Sequence, residues 1–108
     1  MPALSEAETA EIRRLGRSLA GKELEPDLHA LARLLREWEA DAATIDTVIE
    51  AMHDFIRRDN YIIAKKYGPD NPYLHLLVAG KIKEHVIEFS DVHEAHLRKR
   101  LERINTVF

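Results

Sequence analysis

Four of the six histidines fall in the last third of the chain: His75, His85, His93 and His96. Imidazole ligates zinc, iron, copper and haem iron, and its charge changes near neutral pH. On a helical wheel of about 100° per residue, these four lie on the same side as Val78, Ile82, Phe89 and Val92. His75 and His93 sit near the centre of that apolar arc, with His85 and His96 towards one edge. His93 and His96 are a turn apart and could share one metal ion. Glu88, Asp91 and Glu94 fall on the opposite face and do not join them. The pattern predicts a metal site at His75, His85, His93 and His96, holding a transition metal (zinc or iron) or haem. One helix cannot complete such a site, so a second copy of the chain would supply the remaining ligands. Two readings need no metal. The histidines could be packing residues, each satisfied by one donor and one acceptor. They could also line an interface that loosens as they charge below about pH 6.5.

The other motifs fail on chemistry or on placement. Gly16-Arg17-Ser18-Leu19-Ala20-Gly21-Lys22 matches the start of a phosphate-binding loop. Glu23 stands where a serine or threonine should hold magnesium, and a carboxylate there repels phosphate. Glu50-Ala51-Met52-His53 has the Glu-x-x-His spacing of carboxylate-bridged metal bundles. Its glutamate points away from the stripe of Ile45, Ile49, Met52 and Ile56, and no second such pair exists. Nor does a second ligand follow one turn after His53 or His75, where Arg57 and Ala79 stand. Catalysis has no visible constellation. Cysteine is absent, and only Ser18 and Ser90 accompany Ser5. Arg57-Arg58, Lys65-Lys66 and Arg98-Lys99-Arg100 are short basic groups flanked by acids, which read as solvated helix faces. With a formal net charge of −3, no basic field of the kind that draws nucleic acid is expected.

The elements that must carry these residues all read as helices. Ser5-Glu6-Ala7-Glu8 is a capping box ahead of a first helix that buries Ile12, Leu15 and Leu19. Gly16 weakens that helix, and Gly21 is expected to end it. Glu25-Pro26-Asp27 reads as the start of a second, with proline in its first turn. Leu28, Leu31, Leu35, Trp38, Ala42, Ile45, Ile49, Met52, Ile56 and Ile63 then follow at alternating steps of three and four. Asp59 alone takes an expected apolar place. The spacing permits one rod of about 40 residues. A break at Asp41-Ala42-Ala43-Thr44, with Asp41 or Thr44 capping, is favoured because globular helices seldom run that long. Tyr67-Gly68-Pro69-Asp70-Asn71-Pro72 is a turn, with Gly68 in the left-handed conformation closing the helix. A last helix is expected from about Tyr73 to Thr106. Trp38 and Phe89 read as core anchors.

The chain of 108 residues suits a single helical domain, 1–108. The expected fold is all-α. A long antiparallel helical hairpin, about 26–67 against 73–107, follows a shorter N-terminal helix. A compact domain of this size is about 35 Å across, whereas a 35-residue helix is nearer 50 Å long. One chain cannot cover that helix, so a homodimer should complete the bundle. The alternative is a break at Gly80 and a compact monomer. The amino-terminal residues lack a basic-then-apolar signal pattern, and no apolar run approaches the roughly 20 residues that cross a bilayer. Together with the absence of cysteine, this leads to the expectation of a cytoplasmic protein without membrane or nucleic-acid partners. The expected function is that of a non-enzymatic interaction or regulatory protein acting as a homo-oligomer. The alternative is the metal- or haem-binding bundle.

Overall fold

The computed structural model describes residues 3–107, all of whose regular elements are helical. α1 spans Glu6–Glu39, α2 Ile45–Asp54 and α3 Tyr61–Tyr67, with a π-helical turn at Phe55–Asn60 between the last two. α4 spans Leu74–Lys83 and α5 Ala95–Val107, with a 3-10 turn at Phe89–Asp91 between them. Contacts divide the chain into two compact units. One comprises residues up to Leu19 together with the chain from Tyr67 onward, and the other is Ala20–Lys66. No described helix is long and apolar enough to cross a membrane.

α1 starts as its sequence dictates. The Ser5 N–H donates to Glu8 Oε1 and the Glu8 N–H to Ser5 Oγ, each at 3.1 Å. It then continues through Gly21 and Pro26 to Glu39. The expected stop at Gly21 and the expected second helix start at Pro26 are therefore corrected. A glycine is permissive at a stop but does not compel one, and a single missing N–H at Pro26 is outweighed by helix on both sides.

The stops are made by other residues. Asp41 has φ 59°, its N–H donates to Trp38 O at 3.0 Å, and the Ala42 N–H donates to Glu37 O at 2.7 Å. This is a Schellman motif with aspartate in the left-handed position. Thr44 then caps α2 by accepting from the Thr47 N–H at 3.3 Å. The break expected at 41–44 is present. α4 ends in the same way. His85 has φ 61°, its N–H donates to Ile82 O at 3.0 Å, and the Val86 N–H donates to Lys81 O at 2.9 Å. The last helix is therefore broken at His85, not continuous over 73–106, and Gly80 lies within α4. Gly68 does not adopt the left-handed conformation, since no glycine has positive φ. The turn before α4 is held instead by Asn71, whose Oδ1 accepts the Tyr73 N–H at 3.0 Å.

The first unit holds the core. Ile12, Leu15 and Leu19 from α1 are buried, as are Leu74, Val78 and Ile82 from α4 and Leu97 and Leu101 from α5. Ile87 and Val92, in the segment between α4 and α5, are buried too. That burial explains the broken helix. Folding the segment back brings the β-branched side chains of Ile87 and Val92 into the core of this unit. A Cβ on Gly16 would lie 2.9 Å from the Tyr67 carbonyl oxygen and 3.2 Å from Leu74 Cδ2, so only glycine admits this approach.

The second unit differs. Val48 is the one fully buried side chain between Ala20 and Lys66. Trp38, expected as a core anchor, is 43% exposed, and Phe89 in the first unit is half-buried.

Candidate interaction surface

The expected histidine site does not form on one helix face. His75 is half-buried on α4, beside Ile12, Arg13, Asn71 and Pro72. Burial, and then the Arg100 charge, hold its imidazole below the ordinary value. His85 serves as the left-handed residue that ends α4, its side chain 81% exposed and its Nδ1 3.7 Å from Glu88 Oε1. His93 precedes α5 and His96 lies in its first turn, and both are exposed. Breaking the helix at His85 removes the common wheel on which the four shared a side. Among the described residues, no group of three or more histidine, aspartate or glutamate side chains is placed to hold a metal ion.

The first unit uses its polar residues to fasten helices. Glu11 of α1 accepts the His93 N–H at 2.5 Å and the Glu94 N–H at 3.1 Å, and so adds a bond from another element to the local cap of α5, in which Glu94 Oε2 accepts the Leu97 N–H at 2.6 Å. Arg14 donates to the same carboxylate through Nε and to the Asp91 carbonyl through Nη2. The Arg14 guanidinium, then the two backbone donors, hold Glu11 below the usual carboxylate range despite burial. Glu8 is buried and meets Arg100 Nε at 2.7 Å. These contacts leave the carboxylates engaged, not aimed at a ligand. Motif spacing could not reveal them, because the partners of Glu11 are backbone groups 82 and 83 residues away.

The second unit is an antiparallel helical hairpin. Glu23 meets Lys66 Nζ at 2.8 Å, pairing the start of one arm with the end of the other, and Asp27 and Asp59 line the same cleft between them. Leu24, Asp27, Leu31 and Leu34 face the seam from α1. Val48, Ala51, Phe55, Asp59 and Ile63 face it from the other arm. Asp59 lies in the π-helical turn, and the spacing had marked it as a carboxylate in an apolar place. Burial, then the Asp59 charge and hydrogen bond, push the Asp27 carboxyl above its ordinary value.

Outside the seam lies a second apolar set. Leu28, Leu35, Ile45, Ile49, Met52 and Ile56 are between 43% and 58% exposed. On each arm the exposed residue follows a seam residue by one position: Asp27 and Leu28, Leu34 and Leu35, Val48 and Ile49, Ala51 and Met52, Phe55 and Ile56. One position is a rotation of about 100° in a fixed sense about the helix axis. The arms run in opposite directions, so the same rotation carries both stripes to the same side of the hairpin. The result is one continuous apolar face two helices wide. The sequence showed these residues as part of a single stripe, without separating those that close the hairpin from those left open.

The chain matches no protein-family model, no curated protein and no solved structure. Its reading therefore stands on the residues and their arrangement.

Proposed function

We propose that this chain is a non-enzymatic interaction protein that acts as a homo-oligomer. The observation that carries this reading is the open apolar face of Ala20–Lys66, six large aliphatic side chains about half exposed on a hairpin with one fully buried residue. An exposed apolar face of this extent marks a contact surface, because leaving it in water forgoes the main term that stabilises a helical pair. The first unit has the opposite character, with a closed apolar core and carboxylates tied to arginines and backbone donors. The four histidines do not share one helix face, since the chain turns at His85. Oligomerisation no longer draws on a long final helix. It rests on the open face within Ala20–Lys66.

Sedimentation equilibrium tests the reading. A mass of at least twice the monomer's at tens of micromolar is expected. A monomer under those conditions would sink it.

A further inference from the structure

We infer that the apolar face of the hairpin is covered by the same face of a second copy of this chain, the four arms closing into a four-helix bundle. The inference rests on the homo-oligomer reading and names the surface and its occupant. Three observations lead to it.

The first is extent. Six half-exposed aliphatic side chains, at about 90 Å² each, present on the order of 550 Å² of apolar surface. A standard interface buries about 800 Å² per partner, and in homodimers roughly two-thirds of it is apolar. The face is therefore the size that a stable dimer needs. The second is shape. The face is two helices wide, with a stripe on each arm. A single helix laid along it would fill the central groove and leave the outer sides of both stripes wet. A second two-helix face covers both at once, and two-fold symmetry makes one surface serve twice. The third is composition. Leu28, Leu35, Ile45, Ile49, Met52 and Ile56 bring no polar atom beyond the Met52 thioether, as the interior of a permanent assembly does. The hairpin itself is incomplete, because Val48 is its one fully buried residue. Pairing supplies the core it lacks.

The experiment uses sedimentation equilibrium on the full chain. Ile49→Glu/Met52→Glu places charge at the middle of the face, and Tyr73→Glu/Leu76→Glu places it on exposed apolar residues of the first unit. The face variant is expected to weaken dimerisation at least about 100-fold, and the control to leave it unchanged. Far-UV circular dichroism separates dissociation, which keeps the helical signal, from unfolding of the hairpin, which lowers it. A positive arm guards against a hairpin that collapses when exposed. Ile49→Glu and Ile49→Lys chains should each dimerise poorly alone and form a one-to-one heterodimer when mixed. A wild-type monomer would overturn this inference and the homo-oligomer reading together. A dimer that survives Ile49→Glu/Met52→Glu would overturn this inference alone. A charge-mixed pair that stays monomeric would exclude the pairing of like faces.

Discussion

The Glu11 carboxylate braces the start of α5 by accepting the His93 N–H, joining two residues 82 positions apart. A helix start normally finds its cap within a few residues. The start of α5 has such a local cap, Glu94 Oε2 accepting the Leu97 N–H at 2.6 Å, and α1 adds Glu11 to it, with Arg14 on the other oxygen of the Glu11 carboxylate. Glu11→Gln should lower the unfolding free energy at pH 7 by about 2 kcal/mol, since it weakens charge-assisted bonds to two backbone donors and one guanidinium. The sign with pH follows from the lowered carboxyl of Glu11. Its stabilisation is fully present above the ordinary value of 4.5 and is lost as pH falls through the lower folded-state value. Urea titrations of the two proteins at pH 7 and pH 3 should therefore converge at the acid end. A gap that stays constant across that range would refute this role for Glu11.

Gly16 and Gly21 lie five positions apart in α1 and should respond oppositely to alanine. A Cβ on Gly16 meets the Tyr67 carbonyl at 2.9 Å, and backbone cannot yield as a side-chain tip does. The strain, about 1–3 kcal/mol, exceeds the gain in helix propensity of about 1 kcal/mol. A Cβ on Gly21 meets nothing within 4 Å. Gly16→Ala should lower the Tm and Gly21→Ala should raise it. Equal shifts of the same sign would contradict the close approach.

Asp27 and Asp59 place two carboxyls against each other in the hairpin seam. The carboxyl of Asp27 is raised, so the folded chain holds its proton to a higher pH than the unfolded chain does. The destabilisation is complete above that raised value and is relieved as pH falls through it towards the ordinary value of 3.8. Asp27→Asn removes the like charge and supplies a donor to Asp59, so its Tm at pH 7 should exceed that of the parent. The advantage should shrink as the buffer is acidified into the carboxylate range. A Tm at pH 7 equal to or below the parent's would count against the pair.

Much of the helical character was legible, and the particular failures share a cause. The capping box at Ser5 and Glu8 and the break at 41–44 were readable because their hydrogen bonds close within a few residues. The helix does end at Tyr67, before Gly68, but without the left-handed glycine, and Gly21 ends no helix, because glycine only lowers the cost of that conformation. Asp41 and His85 occupy it instead, and aspartate and histidine are among the few other residues that tolerate it locally. The histidine pattern failed with the helix that carried it. Once His85 turns the chain, residues on either side no longer share a phase.

The sequence by itself determined an all-helical chain, the start of α1, and a long apolar stripe from Leu28 to Ile63. Those follow from short-range bonds and from the 3.6-residue period, both of which are local. Tertiary structure alone decided the rest. The burial of Ile87 and Val92 folds the last stretch back on itself, and Glu11 reaches across the chain to hold the residues just before α5. The hairpin then divides the stripe into a closed seam and an open face. A helical wheel fixes each residue's angle on its own helix, but only the direction of the neighbouring helix sets which angles meet and which are left exposed.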